Sequence, residues 1–254
     1  MARGRIIQHQ QVRTVLRQAD GTLRLDDDAP LADDARWLPP QTGTVYGVAL
    51  NHRSLLDAMA AAFEDAPYKA PPQAPVLFIK TSNTGIGHLE PIPFPADAER
   101  IQAGGALGVV IGKRARKVLA ENALAHVAGY TVVNEVSLPE TSFYRPAVKA
   151  KCRDGFCPAG PLIVPADGID PQTLEARTYV NGQLKETNRC ADLARGVAQL
   201  IADVSEFMTL EAGDMLIAGT PLRTVDLTPG DVVSVVIDGV GRLENPVIAE
   251  GSLQ

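Results

Sequence analysis

The sequence predicts an α+β fold dominated by short strands, with a small N-terminal β arm ahead of one main domain. Three observations predict it. Apolar runs are mostly of strand length and stop at Gly, Pro, Asn or Asp pairs that suit tight turns. A sustained helical period occurs once, between Cys190 and Met208. Strands follow one another instead of alternating with helices, which argues against a doubly wound sheet. With 22 glycines and 19 prolines against 5% aromatic residues, the composition also favours turns over a helical bundle.

Taken in order, the segment from Arg5 to Leu25 reads as a β-hairpin, with VRTVLRQ and TLRLD flanking Asp20-Gly21, a pair suited to positive φ. An acidic stretch and Pro39-Pro40 follow, so residues 1–42 form an arm and linker, and residues 43–254 form the main domain. TVYGVALN opens that domain as a strand. A short helix comes next, capped by Ser54 with Asp57 at capping-box spacing, carrying Leu55, Leu56, Met59 and Phe63 on one face and ended by Pro67. VLFIK at 76–80 and ALGVVIG at 106–112 are continuous apolar strands. ARTYVNGQLKE, at 176–186, is a hairpin with a type I′ turn at Asn181-Gly182. Leu193, Val197, Leu200, Ile201, Val204 and Phe207 place one helix over Cys190–Met208, with Gly213 as a stop. MLIAGT, VVSVVID and GRLENPVIAE supply the final strands.

The bulk properties exclude several function classes. A chain of 254 residues with 45% hydrophobic and 21% charged residues is long enough to bury roughly 70–75% of its unfolded surface, so disorder is excluded. The net charge of −6 argues against nucleic-acid binding, whose footprint is basic. No apolar run approaches the ~20 residues that span a bilayer. No secretory signal is recognisable, and three cysteines are too few and odd in number for a disulfide framework, which suggests a cytoplasmic protein.

Common catalytic motifs fail in specific ways. GGALGVVIGK ends in Gly-Lys, but Gly108 and Gly112 enclose three residues where a phosphate loop needs four, and Arg114 follows the lysine. There is no Gly-x-Ser-x-Gly elbow. Cys152, Cys157 and Cys190 lack a second ligand pair for zinc and read as packing residues. His9, His52, His88 and His126 show no metal spacing, although His52 follows a strand directly in a polar loop. What remains is a set of polar residues at strand ends: Asn51, His52, Lys80, Asn83, Thr84, Asn134, Glu135, Lys149, Lys151, Arg153 and Thr220. Lysines just after strands usually mark the exit into water, but together these point to an anionic small molecule.

Those same segments carry a family resemblance. VALNHRSLLDA, FIKTSNTGIG, ALGVVIGKRARKV, VAGYTVVNEVSLPETSFYRPAVKAKCRDGFCP, SEFMTLEAGDMLIAGTP and PGDVVSVVIDGVGRLENPV resemble the fumarylacetoacetate hydrolase superfamily in order, from about Thr44 to Glu250. SLPETSFYRPAVKAKCRDGFCP is similar to the isomerase/decarboxylase group of homoprotocatechuate degradation, and more narrowly to the first of that group's two homologous halves. The resemblance implies a layered mixed β-roll with few helices. It implies carbon–carbon cleavage, decarboxylation or tautomerisation of small 2-oxo dicarboxylates or tricarboxylates, aided by a Mg²⁺ or Mn²⁺ acting as Lewis acid. It also implies an assembly, either a homo-oligomer or a hetero-oligomer with a metal-bearing homologous subunit.

Carried over residue by residue, the pattern is broken. The family's Glu-x-Glu metal pair falls on Gly104 and Ala106, and its third ligand, an aspartate, falls on Glu135. The family's His-x-x-Glu pair falls on Leu55 and Ala58. Retained are Lys151 as the catalytic or anchoring lysine, and Lys80, Asn83, Thr84, Arg153 and Thr220 as substrate contacts. Glu90, Asp97, Glu99 and Glu140 are further carboxylates, but nothing in the sequence draws them to the site. One carboxylate of three offers a hard divalent ion little charge, so this chain alone is expected to hold no catalytic metal.

Overall fold

The computed structural model describes residues 1–140, 142–222 and 225–252. The first segment supplies β1 (Arg3–Gln8), β2 (Gln11–Arg17), β3 (Leu23–Leu25) and β4 (Arg36–Leu38). There follow β5 (Val45–Ala49), helix α1 (Arg53–Ala58), β6 (Val76–Lys80), β7 (Gly85–Ile86), β8 (Ile92–Phe94) and β9 (Ile101–Gln102). Next come β10 (Gly105–Ile111), α2 (Ala120–Ala123), β11 (Val127–Asn134), α3 (Val148–Lys151) and β12 (Cys157–Pro165). The last third holds β13 (Glu175–Val180), β14 (Gln183–Arg189), α4 (Val197–Phe207), β15 (Met215–Ile217), β16 (Asp226–Leu227), β17 (Val232–Ile237) and β18 (Gly241–Ala249).

An eleven-stranded mixed sheet runs β3-β2-β1-β12-β11-β10-β15-β5-β6, with β4 beside β1 and β7 beside β12. A five-stranded sheet, β14-β13-β17-β18-β8, packs over it. The expected strand-rich α+β fold with few helices is what the structure shows. β10 is buried on both faces, which is why it reads as an unbroken apolar run. Leu107, Val109 and Ile111 enter the core shared with α4 and the five-stranded sheet, where Leu200, Ile201 and Val204 of the helix join Val235 and Ile237 of β17. Ala106 and Val110 face the other way, packing with Val45, Val133, Cys157, Ile163 and Met215 from neighbouring strands of the same sheet.

The hairpins obey their turn chemistry. β2 and β3 pair around Asp20-Gly21, and β13 and β14 around Asn181-Gly182, whose φ values are 51° and 78°. A further hairpin joins β1 to β2 through His9 and Gln10, both at positive φ, where the residue types give no turn signal. β1 also pairs with β12, so the N-terminal segment adds strands to the main sheet.

Two helix expectations need correction. The first helix spans only Arg53–Ala58, and its cap is His52, whose Nδ1 accepts from the Ser54 backbone N–H at 3.2 Å. A 3₁₀ turn at Ala61–Glu64 separates it from Pro67. The long helix begins at Val197, seven residues later than the apolar period suggests. Before it, Cys190–Asp192 form a 3₁₀ turn, and Asn51 pins the residues that follow: its carbonyl accepts from the Ala194 N–H at 2.9 Å and its Oδ1 from the Arg195 N–H at 3.0 Å. Leu193 still reaches the core, bridged to His52. Tertiary hydrogen bonds override helical propensity there.

The edge strand β14 turns Glu186 inward opposite Thr178, and the buried Glu186 Oε1 has no hydrogen-bond partner among the described residues. Burial pushes its carboxyl from 4.5 up to about 7. The folded chain thus keeps a proton there that the unfolded chain releases, and the stabilisation tied to that proton is lost as pH rises through this window. Urea denaturation should show wild type losing stability relative to Glu186→Gln between about pH 5 and 8. A difference between the two proteins that does not change with pH would contradict this reading.

Candidate functional site

β15 runs parallel to β5 in register Met215–Val45, Leu216–Tyr46 and Ile217–Gly47, so both strands end on the same side of the sheet. From those ends emerge α1 and the Gly219-Thr220-Pro221 turn. Asn51 ties them together, its Nδ2 donating to the carbonyls of Ala218 at 2.7 Å and Arg195 at 3.0 Å. Gly219 takes φ +129°, a conformation that residues with a Cβ rarely adopt, beside the Asn51 side chain. On the neighbouring β6, the Phe78 ring lies across Gly47, where any Cβ would overlap it.

These elements enclose a cavity of about 120 Å³. Its walls include Val48, Leu55, Met59, Phe78, Phe143 and Ile217, and its polar groups are Gln102, Glu135, Glu140, Lys151 and Thr220. Glu135 follows β11 directly and is 1% exposed. Its Oε1 lies 2.6 Å from Lys80 Nζ and its Oε2 3.2 Å from Lys151 Nζ. Lys151 Nζ also meets Glu140 Oε2 at 2.7 Å and sits 4.5 Å from the centre of the Phe78 ring. Burial lowers the Lys151 pKa, and the adjacent Glu140 carboxylate opposes that shift. Two carboxylates and two ammonium groups therefore balance within a nearly dry site.

The expected site residues divide into two groups. Lys151, Glu135 and Thr220 meet in this cavity. Lys80 lies beneath it, donating to the carbonyls of Val136 at 2.7 Å, Lys151 at 2.9 Å and Phe156 at 2.9 Å, with no side-chain exposure. The structure thus places Lys80 against Glu135 and not among the residues lining this cavity, away from the direct carboxylate contact expected of it. Asn83 and Thr84 are structural where they stand: Asn83 donates to Asp154 Oδ1 at 2.6 Å, and the buried Thr84 hydroxyl donates to the Thr81 carbonyl at 2.7 Å. Arg153 pairs with Asp97 at 2.7 Å, outside the cavity. Gln102, Glu140, Phe78 and Phe143 are lining residues that sequence reasoning did not assign. Only Glu140 carried a signal, as one of the spare carboxylates near Glu135. Of the others, Glu90 pairs with Arg36 on the surface.

The positions expected to bear the family's other functional groups supply none. Leu55 puts an apolar chain into the cavity, whereas Ala58 is exposed. Ala106 is wholly buried among neighbouring strands of the large sheet, and Gly104 contributes a backbone N–H to Asn134 Oδ1. Burial lowers the His52 pKa, and its Nδ1 is committed to capping α1, so His52 is a positioning group for the helix. The Mg²⁺ or Mn²⁺ implied by the resemblance does not fit this donor set. Each Glu135 oxygen already faces an ammonium group, and a dication would sit against both.

Comparison with known proteins places the fold in a family. The chain matches the model "Fumarylacetoacetate (FAA) hydrolase C-terminal" over residues 44–248 and belongs to that family. It is 50% identical over 208 residues to the 4-hydroxyphenylacetate degradation bifunctional isomerase/decarboxylase of Escherichia coli, covering 82% of this chain and 48% of that protein. The chain thus spans about half the length of the curated bifunctional relatives it matches. The 5-carboxymethyl-2-hydroxymuconate delta-isomerase of Mycobacterium smegmatis superposes with a TM-score of 0.81 at 32% identity, covering 98% and 99% of the two chains. A fumarylacetoacetate hydrolase from Exiguobacterium antarcticum gives 0.82 at 30% identity, with the same coverage. No helix among the described residues is long and apolar enough to cross a membrane.

Removing one member of a buried charge cluster leaves another uncompensated, at a cost of about 3–5 kcal/mol. Glu135→Gln should therefore lower the unfolding free energy by about that much in urea denaturation. A loss below about 1 kcal/mol, as for an exposed pair, would show that the cluster is well hydrated.

Proposed function

We propose that this chain is a subunit of an isomerase/decarboxylase of homoprotocatechuate catabolism, acting on 5-oxopent-3-ene-1,2,5-tricarboxylate or 2-hydroxyhepta-2,4-diene-1,7-dioate. The observation that carries this reading is the 50% identity over 208 residues to a bifunctional enzyme of that pathway, of which those residues are 48%. In this reading the cavity holds the organic acid. Lys151 offers a cationic hydrogen-bond donor to a carboxylate or to the oxygen of an enolate. Thr220, on its glycine-hinged turn, offers a hydroxyl to the same ligand. The apolar walls keep water away and strengthen these contacts.

The ammonium groups on Glu135 favour a division of labour: this chain binds and supports, while a homologous subunit bearing the full carboxylate set supplies the divalent ion in a hetero-oligomer. A catalytically silent structural or regulatory role is the limiting form of the same proposal. An acylpyruvate hydrolase is disfavoured, because Leu55 and Ala58 carry nothing that would orient an attacking water.

The purified chain, assayed with those substrates and excess Mg²⁺, should show no turnover alone and should restore or raise turnover when mixed with a Glu-x-Glu-bearing homologue. Full-rate turnover by this chain alone would overturn the division of labour. Failure to alter the homologue's activity or to associate with it would overturn the subunit assignment.

A further inference from the structure

Beside the small cavity lies a larger one of about 510 Å³, and the two share Ala49, Phe78, Glu140, Phe143 and Lys151. Glu140 stands where they meet, its side chain 9% exposed and paired with Lys151. The outer cavity is also lined by Arg145, which is exposed and makes no ion pair among the described residues. Its lining also includes the apolar Val76, Leu77, Phe78, Ile79 and Phe143, together with Thr81 and Cys152. The outer cavity thus has a buried ammonium and an exposed guanidinium among its largely apolar lining.

Charge balance dictates how an anion enters. Lys80, Lys151, Glu135 and Glu140 sum to zero, so a carboxylate added at Lys151 would leave an unbalanced charge in a buried site. An incoming carboxylate that replaces Glu140 on Lys151 preserves neutrality, and Glu140 can swing toward the outer cavity it already borders. Arginine's planar fork suits a second carboxylate in bidentate geometry, and its exposure leaves it hydrated until the ligand arrives.

We propose that Lys151 and Arg145 hold the two ends of an elongated dicarboxylate in one groove, and that Glu140 is the built-in inner ligand exchanged for the dicarboxylate's own carboxylate. This rests on the reading above that Lys151 anchors an organic acid; what it adds is the outer anchor and the exchange.

Calorimetric titration of the full chain with adipate and with hexanoate, which lacks the second carboxylate, tests it. Adipate should bind more tightly than hexanoate by up to roughly fivefold, the worth of one well-oriented exposed ion pair. Arg145→Gln should erase that preference by weakening adipate alone. Glu140→Gln, which removes the internal competitor, should tighten both acids. Equal affinity of the two acids for wild type, equal weakening of both by Arg145→Gln, or no gain in Glu140→Gln would each overturn the groove. The double variant Lys151→Met/Glu140→Gln removes both charges of one pair and keeps the cluster neutral. Binding that survives in it would overturn the Lys151 anchor itself, and so would absence of binding by either acid to wild type and Glu140→Gln. Binding lost only in the double variant, with Arg145→Gln and Glu140→Gln indifferent, would overturn the groove and leave the anchor standing.

Discussion

The site depends on one buried carboxylate. Glu135 bridges Lys80 and Lys151, and through them it joins pieces of chain far apart in sequence. Lys80 ends the edge strand β6, and its ammonium also gathers the carbonyls of Val136, Lys151 and Phe156. The segment after β11, the end of α3 and the approach to β12 are therefore fixed around a single cation. A neutral residue at either place would leave several polar groups desolvated without return, which is why a cluster of this kind tolerates substitution poorly.

The surrounding scaffold explains why the carboxylate can be so dry. β10 and β11 are buried on both faces, so the strand that feeds into Glu135 arrives from inside the protein rather than along its surface. The Glu135 N–H donates to the Gly104 carbonyl at 2.8 Å, continuing the ladder one step beyond the strand. Asn51 performs a parallel task on the opposite wall, holding the Gly219 turn and the chain before α4 in place. Both devices use backbone groups as anchors, and neither depends on the character of a ligand.

Local chemistry made part of this legible in the sequence. Asn181-Gly182 and Asp20-Gly21 specify their turns through positive φ, and the unbroken apolar runs of β6 and β10 mark strands with hidden faces. His9-Gln10 turns without such a signal, because pairing of β1 with β2, β4 and β12 fixes its ends. The helix expected from Cys190 loses its first turns to Asn51, a residue 139 positions earlier by their numbers, and no periodicity records so distant a partner. The site shows the same division. Lys151, Glu135 and Thr220 stood out as polar residues at strand and helix ends, and they meet. Lys80 stood out for the same reason, yet it lies beneath the floor, because exit from a strand does not say whether water or protein waits beyond it. Asn83 and Arg153 are drawn off by Asp154 and Asp97, partners whose proximity only the tertiary fold creates.

Charge arithmetic ties the cluster to its chemistry. In the carboxylate-rich arrangement implied by the family pattern, lysines and a dication share three acidic groups. Here Gly104 and Ala106 remove two of those charges, and Glu135 is left between two ammonium groups. A divalent ion brought to Glu135 would meet both lysines at close range, where each pair of like unit charges about 4 Å apart costs on the order of 4 kcal/mol at an effective dielectric of about 20. Glu140 offsets one lysine and no more. The proposed exchange follows from this balance: an anion that trades places with Glu140 keeps the cluster neutral, as an added dication would not.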